Sequence, residues 1–285
     1  MKYKKLLFII LGLIAINSYF LITVIIQKPV ENKLKVIFFD VGQGDVSLVM
    51  AEKGINILID GGPDEKIIEK LDKYLPIYNK KIDILVLTHP HADHVSGFVN
   101  VLEKYPAQEV WMTGVLHTSP EYLVFLEMVR DKKIQAKIID RTDSINISEN
   151  TKIEILYPNK NLLQQKVDDL NNSSIVLRIS YKAKSFLFTG DIEKEAEEEL
   201  SELAIIKSDV LKVAHHGSNT SSTEKFLNMV NPDIAIISLG ENNFGMPSLR
   251  ILKRLERIGA VIYRTDENGD IVIETDGEEI RRLVN

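Results

Sequence analysis

The sequence predicts one α/β domain behind a short apolar N-terminal segment, with two halves of the chain each giving strands to a central layer covered by helices. Two observations predict it. From about residue 35 onward, β-branched runs of strand length alternate with stretches whose apolar residues recur at helical spacing. No low-complexity linker or tandem repeat interrupts that alternation, and 285 residues are enough for one sizeable core.

The N-terminal segment comes first. Leu6 to Ile26 carries no charge over 21 positions, with Lys2, Lys4 and Lys5 before it and Gln27 and Lys28 after it. At ~1.5 Å per residue such a run spans a ~30 Å hydrocarbon core. A cleaved signal peptide is the competing reading, but Ile25, Ile26 and Gln27 stand where small residues would mark a cleavage site. Residues 1–30 are therefore expected to be an uncleaved single-pass membrane anchor, and residues 31–285 the folded domain. The leading lysines favour a cytoplasmic N-terminus and an extracytoplasmic domain; secretion after cleavage is the alternative.

Lys35–Asp40, Val46–Ala51 and Ile55–Asp60 read as an opening β-meander, with Gly42, Gly44 and Gly54 in its turns. Ile67, Ile68, Leu71, Tyr74 and Leu75 mark a helix that Pro76 ends, and Ile82–Thr88 reads as a strand buried on both faces. Helix Val95 to about Tyr105, strand Glu109–Thr113, helix Pro120–Arg130 and strand Ala136–Asp140 follow. The second half offers strands at Lys152–Tyr157, Ser174–Tyr181 and Ser185–Thr189, then a Glu-rich helix Ile192–Leu203 read as a solvated face. Strand Asp209–Ala214 precedes a helix opened by Ser221 with Glu224 at capping-box spacing. Strand Asp233–Leu239, helix Ser248–Ile258 and the strands Ala260–Arg264 and Ile271–Thr275 close the chain.

Composition narrows the chemistry. The chain has no cysteine, which removes disulfides, thiolate ligands and a thiol nucleophile, so any metal sits on histidine and carboxylate. Residues 32–285 hold 31 of the 35 basic and 40 of the 41 acidic side chains, a net charge of −9. Such a domain has no global attraction for nucleic acid, and a polyanionic substrate would need metals and a local basic patch.

Three of the six histidines fall within His89-Pro-His91-Ala-Asp93-His94, directly after the buried strand. Four ligand-type side chains in one turn can fold around two cations, and imidazole with carboxylate suits zinc, manganese or iron(II). Asp191, after Thr189-Gly190 at a strand end, has two carboxylate oxygens and can bridge two metals. Val213-Ala214-His215-His216 is another strand ending in histidines. Neighbours on a strand point to opposite sides, so one of the pair is the ligand, and order and spacing favour His215; His216 is left to a substrate phosphate or the metal's outer shell. Asp60 is placed to orient an imidazole of the cluster. Lys212, Ser218 and Asn219 lie where they can meet phosphate oxygens, and His117 reads as a surface histidine.

These residues resemble the metallo-β-lactamase fold superfamily in order and spacing. The finer resemblance is to the extracytoplasmic hydrolase domain of the competence protein ComEC and its stand-alone relatives. It rests on Phe39-Asp40-Val-Gly42-Gln43-Gly44-Asp45, the histidine cluster, Asn172-Ser173-Ser174, Phe188-Thr-Gly-Asp191, Leu211-Lys-Val-Ala-His215-His216-Gly-Ser218 and Ser238-Leu-Gly240-Glu-Asn242-Asn243-Phe-Gly245. The resemblance implies an αββα sandwich with two divalent ions at one edge. His89 and His91 would hold the first ion, Asp93, His94 and His215 the second, and Asp191 both. His216, Ser218 and Asn243 would meet substrate, and Asp93 would take the proton of a metal-activated water. Two departures stand out: Asn172 or Ser173 occupies the place of a further metal-one histidine, and Met246 replaces the histidine of a Gly-His-Pro triplet. The expected activity is metal-dependent phosphodiester hydrolysis, with DNA as one candidate substrate. Lactam or ester hydrolysis and metal binding without turnover are the rivals.

Overall fold

A computed structural model describes residues 10–18, 32–202 and 206–284. The chain separates into two units, residues 1–32 and 33–285. In the first, residues 10–18 form helix α1. Among the described residues no helix is long and apolar enough to cross a membrane. The rest of the anchor expected at Leu6–Ile26 lies outside the described residues.

In the second unit, β1 (Leu34–Phe38), β2 (Ser47–Ala51) and β3 (Ile55–Ile59) form the antiparallel meander. Helix α2 (Lys66–Tyr74), β4 (Ile82–Val86), α3 (Ala92–Lys104), β5 (Ala107–Met112), α4 (Pro120–Asp131) and β6 (Gln135–Ile138) extend it with parallel strands. The chain then crosses to a second sheet with the antiparallel strands β7 (Asp143–Asn146), β8 (Thr151–Tyr157), β9 (Val176–Tyr181) and β10 (Lys184–Phe188). Helix α5 (Lys194–Leu200), β11 (Val210–Lys212), α6 (Glu224–Val230), β12 (Ile234–Ile237), α7 (Leu249–Arg257) and β13 (Val261–Arg264) continue in parallel. After the short helix α8 (Thr265–Asn268), β14 (Ile271–Thr275) and β15 (Ile280–Leu283) return to the first sheet beside β1. The sheet orders are β15-β14-β1-β2-β3-β4-β5-β6 and β13-β12-β11-β10-β9-β8-β7.

Side-chain alternation makes this a four-layer αββα sandwich. Along β1, Leu34, Val36 and Phe38 face the second sheet while Ile37 packs under the helices of the first. Phe38 stacks on Phe188 across the sheets at 5.9 Å between centroids. Leu187 and Leu211 pack beneath α5, α6 and α7 on the other outer face. Strands buried on both faces are apolar at nearly every position, which is why they read as near-continuous hydrophobic runs.

Four details differ from the sequence expectations. Strands β7 and β15 were not foreseen, because DSIN and IRRL are polar edge strands without an apolar alternation. Helix α6 is capped by Thr223, whose side chain accepts from Phe226 N, not by Ser221. The Glu-rich helix α5 is not purely a solvated face. Its Glu197 is buried and accepts the backbone N–H groups of Ser222 and Thr223, the latter at 2.8 Å.

Glu52 joins the two halves. Buried in the turn between β2 and β3, it accepts from Ser148 Oγ (2.5 Å), Asn150 Nδ2 (2.7 Å), Asn150 N (3.2 Å) and Tyr181 OH (3.2 Å). Burial alone would raise its pKa, but these bonds outweigh burial and hold it below the ordinary glutamate value. Glu52→Ala should destabilise the domain by about 2–4 kcal/mol, read as a lower urea midpoint, because several donors lose their acceptor. Because the folded pKa is depressed, this stabilisation is complete above the unfolded glutamate pKa and is lost as pH falls through the folded value.

Candidate metal centre and active site

The centre forms where β4, β10 and β11 end. Beyond β3, Asp60 (φ 58°) turns its carboxylate under the end of β4. There it accepts Thr88 N (2.8 Å), Thr88 Oγ1 (2.8 Å) and His94 Nδ1 (2.9 Å). Residues 89–91 leave the strand, and Asp93 and His94 sit in the first turn of α3. Gly190 (φ 51°) turns the chain after β10 against Ser174, whose Oγ accepts Asp191 N at 3.1 Å. After β11 the chain makes a left-handed turn, with φ of 51° at His215 and 52° at His216.

Hydrogen bonds settle which imidazole nitrogen is bare. Thr88 spends its only hydroxyl proton on Asp60, so His89 Nδ1 donates to Thr88 Oγ1 at 3.1 Å and Nε2 keeps its lone pair. His94 Nδ1 donates to Asp60, and His216 Nδ1 to the Ser238 carbonyl at 2.8 Å, leaving both Nε2 atoms turned inward to take a proton or a metal ion. These inward nitrogens face carboxylate oxygens. Asp191 Oδ2 lies 3.3 Å from His94 Nε2, 3.5 Å from His216 Nε2 and 3.9 Å from His89 Nε2. His89 Nε2 is within hydrogen-bond distance of His91 Nδ1 at 3.0 Å, and His216 Nε2 of Asp93 Oδ2 at 3.2 Å. His94 Nε2 and Asp191 Oδ1 are buried without a hydrogen-bond partner.

Such an array is costly unless positive charge enters it. Lys212 does not supply that charge. Its buried ammonium lies 2.5 Å from Asp45 Oδ2 and donates to Val213 O at 2.9 Å, leaving Asp60, Asp93 and Asp191 to be balanced. Burial would lower the pKa of His94 and His216, yet Asp191 outweighs it with Asp60 at His94 and Asp45 at His216. His94 is held well above the ordinary value and His216 is pushed up to about 10. For Asp191, burial is outweighed by His94 and His216, which hold its carboxyl well below the usual range. Asp93, His94, Asp191 and His216 have ligand atoms close enough to hold one cation. Bare imidazole nitrogens and acceptor-only carboxylates, with no thiolate, fit divalent metal ions.

The structure brings most of the expected residues together and places others apart. His89, His91, Asp93, His94 and Asp191 converge, and Asp60 orients His94. His215 does not join them. Its Nδ1 lies 3.2 Å from Glu193 Oε1 and 3.3 Å from Thr220 Oγ1, while His216 takes the place beside Asp93 and Asp191. The left-handed turn is the reason, since the alternation of a strand does not apply there. Ser218 is buried against Thr220, their hydroxyls 3.0 Å apart, and Asn243 is exposed on the loop before α7. Lys212 is committed to Asp45 and is closed to substrate. Asn172 braces the α5 approach by accepting Glu193 N at 2.8 Å. His117 is half-buried, 6.4 Å from His91 between ring centroids, rather than remote.

Asp45 is the functional residue that sequence reasoning left without a role. Buried, it stands 3.3 Å from His216 Nδ1 and pairs with Lys212. The Gly42-Gln43-Gly44-Asp45 run was the available signal. A side chain on Gly44 (φ 145°) would collide with Asp93 O, which also accepts Asp45 N at 3.2 Å.

Comparison with known proteins agrees with this geometry. The metallo-beta-lactamase superfamily is matched over residues 39–241. ComE operon protein 3 of Bacillus subtilis is 31% identical over 86% of this chain and 34% of its own length. Recombination protein 2 of Haemophilus influenzae is 30% identical over 81% of this chain and 28% of its own. Competence protein ComA of Neisseria gonorrhoeae is 30% identical over 84% and 32%. The chain thus spans about a third of the length of these curated relatives. Among solved structures, the metallo hydrolase Igni18 of Ignicoccus hospitalis shares the fold with a TM-score of 0.53 at 15% identity, over 84% of this chain and 98% of that one. Zn(2+)-bound PqqB of Methylobacterium extorquens does so at 0.51 and 10% identity, over 81% and 97%. The chain belongs to the metallo-beta-lactamase superfamily, whose members are in general metal-dependent hydrolases, and over most of its length it is similar to part of these ComEC-like proteins.

Proposed function

We propose that the chain is a phosphodiesterase, with a nucleic acid strand as its substrate, working at a two-metal centre. The observation that supports this reading is Asp191, whose Oδ2 lies within 3.9 Å of Nε2 of His89, His94 and His216 while its Oδ1 is buried without a hydrogen-bond partner. In this reading His89, His91 and Asp191 hold one ion, and Asp93, His94, His216 and Asp191 the other. Bound zinc or manganese would make water acidic near neutral pH and offset charge on the phosphoryl oxygens.

The protein's own groups do the rest. Asp93 is the most open of the site carboxylates, 33% exposed against 3% for Asp191, so it is the one that meets an entering water and accepts its proton. His216 Nε2 holds the other side of that carboxylate. Asp60 and Thr88 fix the rotation of His94 and His89, so little reorganisation is needed as the phosphoryl charge develops. Relatives named for competence and recombination support nucleic acid as the polymer. The uncharged run Leu6–Ile26 behind three lysines supports a membrane-anchored domain on the outer face.

The test is cleavage by the full chain of bis(p-nitrophenyl) phosphate, oligonucleotides, a chromogenic lactam and a thioester, before and after chelation. Phosphodiester cleavage that stops with the chelator and returns with added zinc or manganese is expected. Turnover of the lactam or thioester alone, or tight metal binding with no turnover, would overturn the reading.

A further inference from the structure

The loop between β12 and α7 presents an aromatic ring that the fold does not use. Phe244 is 75% exposed, and Leu249, the first residue of α7, is 74% exposed. The loop is nevertheless braced. Asn242 Oδ1 accepts the N–H groups of Phe244 and Met246 at 3.1 Å each, and its Nδ2 donates to the carbonyls of Gly240 and Met246 at 2.9 Å each. A rigid turn thus holds an apolar ring in water, where burial offers the fold nothing.

That turn borders the metal centre. Ser248 N donates to Gly217 O at 2.9 Å, the residue after His216. Gln43 Nε2 reaches Met246 Sδ at 3.8 Å, and Gln43 adjoins Gly44, which lies against Asp93 O. Beyond Phe244, Arg250 and Lys253 project from the first turns of α7, exposed and without an ion pair among the described residues. Their neighbours Arg254 and Arg257 are committed, Arg254 to Ser222 O at 2.9 Å and Arg257 to Glu224 at 2.7 Å. The loop's carboxylate, Glu241, lines a separate recess with Lys66 and Lys70. On a domain of net negative charge, an uncommitted ring and two uncommitted cations on one loop and the helix it opens, tied to the residue after His216, form the local patch that a polyanion with flat bases requires.

We infer that this loop is a nucleobase platform: a base of a single-stranded substrate stacks on Phe244 while Arg250 and Lys253 meet the adjoining phosphates. The inference rests on the phosphodiesterase reading for its substrate class and on the loop geometry for its site. A protein groove would need a larger apolar surface than one ring and one leucine. Charge and flatness favour the nucleic acid strand.

The test is fluorescence anisotropy of the full chain with an oligothymidylate and with an abasic strand of equal length, chelator present so that neither is cut. Phe244→Ala should weaken oligothymidylate binding about ten- to a hundredfold. Phe244→Trp should restore it, and binding of the abasic strand should be the same for all three proteins. Arg250→Ala with Lys253→Ala should weaken both strands and flatten the salt dependence. An equal loss on both strands, no loss on either, or no strand binding by the wild type would overturn the platform. So would Phe244-dependent binding to phosphatidylglycerol vesicles without a base-dependent component. Base-dependent binding with no phosphodiester ever cleaved would leave the platform standing and remove the proposed activity; cleavage of small esters without base-dependent binding would do the reverse.

Discussion

Asp191→Ala should empty both metal positions at once and abolish hydrolysis. Its Oδ2 lies within 3.9 Å of Nε2 of His89, His94 and His216, so in the proposed centre it is the carboxylate common to both ligand sets. Loss of an outer-shell partner already costs about 10–100-fold in metal affinity, and a bridging ligand must cost more. Turnover should fall by at least about 10³-fold, beyond the loss from one stabilising donor. Asp191→Glu should not rescue it, since a buried carboxyl has no room for another methylene. Bound metal counted by elemental analysis, beside phosphodiester turnover, checks this. Retention of two ions with turnover would remove Asp191 from the centre.

His216→Ala and His215→Ala should part company. The first removes the Nε2 that lies 3.2 Å from Asp93 and 3.5 Å from Asp191, so one ion per chain is lost and turnover falls at least about 10²-fold. The second touches Glu193 and Thr220 instead, and metal stoichiometry should not change. The same elemental analysis on both variants decides it. Loss of metal in His215→Ala alone would restore the assignment that strand alternation suggested.

Much of this candidate site could be read along the chain because its ligand-type side chains are local. His89, His91, Asp93 and His94 share one turn after a strand whose apolar run is unmistakable, and strand and first helical turn converge without any distant information. Asp191 was legible because Gly190 marks a sharp turn at a strand end. The choice between His215 and His216 was not legible, because alternation presupposes extended backbone and both residues have positive φ. Lys212 looked like a phosphate ligand for a similar reason. Its burial against Asp45 depends on a contact between residues 167 positions apart, which no local pattern records.

The fold divides in the same way. Apolar alternation in the strands and the 3.6-residue stripe in the helices determined the elements, their order and the two-sided burial of the central strands, since side-chain direction is local geometry. Tertiary structure alone decided that β14 and β15 return to the first sheet, and that the polar strands β7 and β15 pair at all, because ladder hydrogen bonds and not side-chain burial hold an edge strand. It also decided that Glu52 closes one sheet onto the other. A buried carboxylate is stabilised by donors the chain supplies from residues 148, 150 and 181, and only folding brings those within reach.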